Sequence, residues 1–451
     1  MNVTNKTSHN SVTMPDFKYE TELREDVDVP VNIKERNPNI CGYPFTGLVV
    51  NPDGRLLACC HAPTMDGTLG HISKVDSLTD FYNEGPINDM RADMKRGILP
   101  PNICTTCIKW REAGITAPVD RKFLALPWDD DNWPDNNPKV VRYLEYTPSN
   151  LCNQSCVTCG GVYSSKWWAI DKIAIEKDKL RFRTEDLRNH RTKHYEQPQH
   201  LSDEDWQKVL TCIEEGVWKI YIKGGEPFAD ARNLELLERI GKGEYPELRQ
   251  VSFSTNMARM TPRIVKIFND ILDNTDIRIG CSISIDGVGK QYEWIRSTPW
   301  ERLIENCRKF PVQHVTVSTT VSIYNFWNVR EIVEALHRFP IRITGYNGRI
   351  VNNPYYLNPW TIISQQDEDE MKAIYKDYFI LNPLGTTRHA MLSKKYNPKN
   401  NDYLWIPRPN KILKDRKRDK LMSNFREFTQ FMNDFRGFNI QDHVPELEMY
   451  L

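Results

Sequence analysis

Val140-Val141-Arg142-Tyr143-Leu144-Glu145-Tyr146, followed by Thr147-Pro148-Ser149-Asn150-Leu151-Cys152-Asn153-Gln154-Ser155-Cys156-Val157-Thr158-Cys159-Gly160-Gly161, is the stretch that decides the fold. Its first seven residues are rich in β-branched and aromatic side chains and read as a strand over 140–146. Cys152, Cys156 and Cys159 then fall on one short loop. Closing such a loop costs little, because the entropy of closure grows only with the logarithm of loop length. Gly160 and Gly161 let the backbone fold tightly around a bulky group. Iron-sulfur clusters usually take four cysteine thiolates, so a compact set of three leaves one iron open to another ligand. Short-spaced thiols also serve structural zinc sites completed by a distant fourth ligand, although zinc motifs more often offer repeated Cys-x-x-Cys pairs.

Outward from this loop, strand-like runs at 140–146, 219–223, 250–254, 278–285, 314–321 and 341–344 alternate with stretches of helical periodicity, including 203–215 and 301–310. Strand then helix, repeated, implies parallel strands with helical crossovers. The second run ends in Lys223-Gly224-Gly225-Glu226-Pro227, where two glycines permit close backbone approach to a ligand and Pro227 stiffens the exit. The third ends in Ser254-Thr255-Asn256 and the fourth in Ser284-Ile285-Asp286-Gly287. Nearly every motif therefore falls at or just after a strand's end, where α/β barrels gather their functional groups. Each of these polar residues also suits a strand-end cap or turn.

The triplet, the Gly-Gly-Glu-Pro run and Ser284-Ile285-Asp286-Gly287 together resemble the radical S-adenosylmethionine enzymes over most of residues 139–360. The resemblance implies an α/β fold, a partial (β/α)6 TIM-like barrel. It implies that Cys152, Cys156 and Cys159 hold a 4Fe-4S cluster whose fourth iron binds the amine and carboxylate of S-adenosylmethionine. Electron transfer then yields a 5'-deoxyadenosyl radical that abstracts hydrogen from a substrate. Gly224, Gly225, Glu226 and Pro227 would face the methionine ammonium, Ser254, Asn256, Ser284 and Asp286 would lie near the cofactor at the strand ends, and Arg296 would meet the methionine carboxylate. Thr158 departs from the pattern, since the family often has a large apolar residue before the third cysteine.

Ahead of the barrel lie Cys41, the adjacent Cys59-Cys60 and Cys104-x-x-Cys107. Between them, residues 47–58 read as a hairpin turning at Asn51-Pro52-Asp53-Gly54, which returns Cys59 and Cys60 towards Cys41. This stretch resembles the auxiliary iron-sulfur module called SPASM or twitch, placed before rather than after the barrel. It implies a second cluster, of 4Fe-4S type, held by Cys41, one of Cys59 or Cys60, Cys104 and Cys107. A four-cysteine zinc site has the same spacings. Cys212, Cys281 and Cys307 sit in apolar surroundings and read as core.

The 451 residues carry 60 basic and 60 acidic side chains, so no global field recruits nucleic acid or an anionic membrane. No apolar run approaches the roughly 20 residues needed to span a bilayer. An odd count of 11 cysteines in metal-like spacings points to a reducing, cytoplasmic setting. The expected organisation is a flexible polar tail at 1–36, a cysteine-rich α+β module at 37–120, a linker at 121–138, the barrel at 139–360 and a mostly helical extension at 361–451 that closes the barrel's open side. A charged insertion at 171–200 reads as a solvated face or a lid. The resemblance implies a peptide or protein side chain as substrate and a flavodoxin-like or ferredoxin-like electron donor. A carbohydrate-like small molecule acted on by a dehydrogenase or epimerase is the alternative within the class, and a non-catalytic metal-binding or electron-transfer module the alternative outside it.

Overall fold

Three short strands in the cysteine-rich region and six in the barrel region form one sheet. The computed structural model describes residues 39–62, 67–112, 139–183, 200–312, 314–351, 354–363 and 415–451. The 1–36 tail, the 121–138 linker, most of the charged insertion and most of the C-terminal extension before residue 415 lie outside the described residues. The first part contains α1 (Gly42–Thr46), β1 (Gly47–Val50), β2 (Arg55–Leu57), β3 (Thr68–His71), α2 (Leu78–Glu84), α3 (Pro86–Lys95) and α4 (Pro101–Glu112). The second runs β4 (Tyr143–Tyr146), α5 (Trp167–Glu176), α6 (Asp203–Glu214), β5 (Lys219–Ile222), α7 (Ala231–Gly241), β6 (Gln250–Thr255), α8 (Pro262–Asn274), β7 (Arg278–Ser284), α9 (Gly289–Arg296), α10 (Trp300–Lys309), β8 (His314–Val321), α11 (Val329–Leu336) and β9 (Arg342–Ile350). After β9 come α12 (Pro359–Ile362) and α13 (Asp415–Arg436).

Strands β4 to β9 are parallel and lie side by side in chain order, the arrangement of the partial (β/α)6 barrel. Their two faces differ. On β6, Val251, Phe253 and Thr255 are buried on the helix side, where Phe253 meets Phe228, Phe268 and Phe310 at ring-centroid distances of 5.2, 5.3 and 6.3 Å. The alternate residues are polar and bond to one another, as Tyr221 Oη to Ser254 Oγ at 2.6 Å and Ser282 Oγ to Ser318 Oγ at 2.9 Å. The barrel therefore has an apolar outside and a hydrogen-bonding inside. The helices start where their caps allow: Ser202 accepts from Asp205 N, Asp230 from Arg232 N and Thr261 from Ile264 N.

The cysteine-rich region does not stand apart. Strand β1 pairs parallel with β4, Gly47 opposite Tyr143 through Val50 opposite Tyr146, and β2 and β3 extend the sheet antiparallel. A Cβ at Gly47 would sit 2.7 Å from the Tyr143 carbonyl oxygen, so only glycine permits this approach. Two strand expectations shift. Pairing in β4 begins at Tyr143, not Val140; Val141 is fully buried without joining a named strand, because β-branched side chains report burial as much as ladder formation. Strand β9 extends to Ile350, past the expected 344, since Gly345 and Gly348 interrupt the apolar alternation that marks a strand. Cys212, Cys281 and Cys307 are buried core residues as expected. Among the described residues, no helix is long and apolar enough to cross a membrane.

Candidate functional site

The loop leaving β4 is held from within. Gln154 N donates to Cys152 Sγ at 3.4 Å, Cys159 N to the Cys156 carbonyl at 2.9 Å, Cys152 N to Ser165 Oγ at 3.2 Å and Trp167 Nε1 to the Cys156 carbonyl at 2.9 Å. Neighbouring strand exits fasten it from outside. Glu226 N donates to the Leu151 carbonyl at 2.8 Å, and Asn256 Nδ2 donates to Asn153 Oδ1 at 2.7 Å and lies 3.8 Å from Cys152 Sγ. A Cβ at Gly225 would overlap the Leu151 carbonyl oxygen and lie 2.7 Å from that of Asn150, so this residue's lack of a side chain is what lets the second strand exit lie against the cysteine loop.

The Glu226 carboxylate is buried and accepts three hydrogen bonds, from Thr255 Oγ1 at 2.7 Å, Asn256 N at 2.7 Å and Phe228 N at 3.2 Å. Burial holds it above the usual carboxylate range, and these donors work against that rise. Its side chain thus organises the exits of β5 and β6, while Gly224 and Gly225 lie against the backbone of residues 149–151. Pro227 is buried as the first residue of the turn after it.

Other expected contacts are placed as follows. Ser254 is half-buried on the inner face beside Tyr221, and Ser284 is half-buried at the end of β7. Asp286 is fully buried, accepts from Thr320 N at 2.7 Å and pairs with Arg296 Nη1 at 2.6 Å. Arg296 also donates to Gln154 Oε1 at 3.3 Å. Its Nη1 and Nε are therefore held by Asp286 and by Gln154 of the cysteine loop.

Several supports were not marked in the sequence. Arg183, in the charged insertion, is half-buried, pairs with the buried Asp171 at 2.9 Å and lies 4.0 Å from the Trp167 ring centre, so this part of the insertion is anchored beside the cysteine loop. Glu145 of β4 is buried on the inner face, takes the Tyr143 hydroxyl at 3.0 Å and pairs with Lys223. The only sequence signal was an acidic residue inside an apolar run.

In the first part of the chain, Cys41, Cys59, Cys104 and Cys107 line one small cavity with His61, Met90, Met94 and Ile103. Cys41 caps the start of α1, Cys59 follows β2, and Cys104 and Cys107 stand one helical turn apart on α4. Cys60 points elsewhere, with its sulfur 3.8 Å from the Tyr43 hydroxyl. Burial, then the neighbouring thiols, pushes Cys41 up to about 12; burial, then Cys59 and Cys107, does the same to Cys104. Cys152 and Cys159 rise to about 12 for the same reasons. Thiols crowded this way resist ionising together unless a cation joins them, which suits metal-bound thiolate. Among the described residues, no group of three or more His, Cys, Asp or Glu side chains converges as a single metal ion would require.

The family model of the radical SAM superfamily matches residues 146–339, and that of an iron-sulfur cluster-binding domain, SPASM, matches residues 41–108. The chain carries a radical SAM domain. Its SPASM domain lies ahead of the barrel, in the order expected. Members of this superfamily use a 4Fe-4S cluster with S-adenosylmethionine, and SPASM domains bind additional iron-sulfur clusters. The donor sets fit: one triplet of thiols beside three strand exits, and one cavity lined by four thiols. No curated protein matches the chain in sequence. Among solved structures, it is similar to Streptococcus suis SuiB at 15% identity over 53% of this chain and 46% of that one, with a TM-score of 0.34. It is also similar to SuiB bound to S-adenosylmethionine, at 13% identity over 74% and 67% of the two chains with a TM-score of 0.34. The third is SuiB bound to the precursor peptide SuiA, at 14%, 75%, 69% and 0.35 respectively. The chain thus spans under half of the first of these.

Proposed function

We propose that this chain is a radical S-adenosylmethionine enzyme in which Cys152, Cys156 and Cys159 hold the catalytic cluster, acting on a peptide or protein side chain. The observation that carries the reading is the junction of the cysteine loop with Glu226 and Asn256, which gathers three thiols and two further strand exits at one end of the parallel sheet. When bound, the cluster supplies the electron that splits S-adenosylmethionine into methionine and a 5'-deoxyadenosyl radical able to take hydrogen from a substrate. The chain's own residues position this chemistry. Gly224 and Gly225 offer backbone at close range, Glu226 fixes that backbone, and Asn256 ties it to Cys152. Ser254, Ser284 and Asp286 line the strand ends where the nucleoside would lie.

The auxiliary centre is assigned to Cys41, Cys59, Cys104 and Cys107, with Cys60 outside it. The barrel's inner face, with Tyr143, Glu145, Tyr221, Lys223 and Ser254, offers hydrogen bonds and charge rather than apolar walls, which suits a polar chain segment. A flavodoxin-like or ferredoxin-like protein is proposed as donor. Anaerobically reconstituted protein given S-adenosylmethionine and a strong reductant should release 5'-deoxyadenosine and methionine. Release of neither from iron-replete protein would leave a metal-binding module as the better reading.

A further inference from the structure

Among the described residues, three guanidinium groups surround the cysteine loop, and they are not equivalent. Arg183 lies on the Cys159 side, donates to the Cys159 carbonyl at 3.4 Å and is neutralised by Asp171. Arg296 lies on the Cys156 side and is neutralised by Asp286. Arg436, at the last turn of α13, reaches the same loop from 281 residues away in sequence. Its Nη1 donates to Ser155 Oγ at 3.0 Å, its Nη2 to the Ser155 carbonyl at 2.5 Å and its Nε to the Trp294 carbonyl at 3.0 Å. Among the described residues it has no carboxylate partner. All its acceptors are neutral, so its full charge is left beside Cys156.

Arg436 is half-buried; partly desolvating an unpaired guanidinium is unfavourable, and an anion facing it offsets that cost. Burial pulls Arg436 down to about 10, and the one group opposing that fall is Cys156. Three thiolates on the loop supply negative charge there. Adding an electron to a cluster makes it more negative, so a fixed cation nearby stabilises the reduced form and raises the potential.

We propose that Arg436 sets the reduction potential of the cluster held by the Cys152 loop, acting as a positioning residue that brings one uncompensated positive charge from the C-terminal helix to the Cys156 side. The proposal rests on the reading that Cys152, Cys156 and Cys159 hold a cluster. It also gives α13 a role beyond packing: the helix seats Phe428 against Trp167 and Phe425 against Tyr324, which fixes where its last turn points.

The test is a potentiometric titration of the anaerobically reconstituted full chain, following the electron paramagnetic resonance signal that responds to S-adenosylmethionine. Arg436→Gln keeps two donors and removes the charge. It should lower the potential by a tenfold change in the reduced-to-oxidised ratio, or ~59 mV for a one-electron couple, at unchanged iron content. Arg436→Lys keeps the charge and should stay near the parent value. Arg436→Met, which keeps the aliphatic stem and removes the charge, should lower the potential likewise and serves as the test if Arg436→Gln does not fold. An unshifted potential in Arg436→Gln or Arg436→Met, or an equal shift in Arg436→Lys, overturns the proposal while leaving the enzyme reading intact. Absence of any S-adenosylmethionine-responsive signal in the parent protein overturns both.

Discussion

The buried Glu226 carboxylate accepts the backbone N–H of Asn256 at 2.7 Å, so the exits of two adjacent parallel strands are fastened by one side chain. Because Asn256 in turn reaches Asn153 and the Cys152 sulfur, that bond transmits the position of the second strand exit to the cysteine loop.

Replacing Glu226 with glutamine keeps an acceptor but removes the charge that strengthens all three hydrogen bonds. Burial holds the Glu226 carboxyl above its usual range, so between its unfolded and folded values the folded chain binds the extra proton. Its contribution to stability is therefore greatest below the ordinary carboxylate range and declines as pH rises through the folded value. Denaturant unfolding across mildly acidic pH should show that decline, and Glu226→Gln should flatten it.

Gly225→Ala drives a Cβ into the carbonyls of Leu151 and Asn150. Both neighbours are backbone, so the cysteine loop must move. We expect a loss of about 2 kcal/mol in urea unfolding together with reduced iron at that loop. Unchanged stability and iron would show that the two exits are not in contact.

Cys59→Ser should remove the auxiliary cluster, whereas Cys60→Ser should retain it, because only Cys59 shares a cavity with Cys41, Cys104 and Cys107. Iron and sulfide analysis of the two variants decides the assignment. The reverse pattern would transfer the ligand role to Cys60.

Arg183→Met leaves Asp171 buried without its cation. Breaking one partner of such a pair costs about 3–5 kcal/mol, and the double change with Asp171→Asn should recover most of it. Chemical denaturation of the three variants measures the coupling; simple additivity would mean that the pair does not hold the insertion.

Much of this was legible because the chemistry is local. The Cys152 triplet, the Gly224-Gly225 pair and the alternation of strand with helix each lie within a few consecutive residues, and the hairpin turn at Asn51 to Gly54 predicts its own geometry. What was hidden depends on distant packing. The choice between Cys59 and Cys60 follows from which way the chain leaves β2, and adjacent residues look alike until that path is known. The pair between Arg296 and Asp286, 10 residues apart across a strand exit, also has no mark in the sequence. The joining of β1 to β4 left no mark beyond Gly47, because strand pairing across a long connection is not encoded in either strand's own pattern. Arg436 gave no signal at all.

The most direct measurement of the central claim uses protein whose auxiliary site is removed by Cys104→Ala and Cys107→Ala, reconstituted with iron and sulfide, reduced, and observed by electron paramagnetic resonance with and without S-adenosylmethionine. The account predicts a cluster signal that changes when S-adenosylmethionine is added and disappears when Cys152, Cys156 and Cys159 are also replaced. A signal indifferent to S-adenosylmethionine, or zinc in place of iron at that loop, would contradict it.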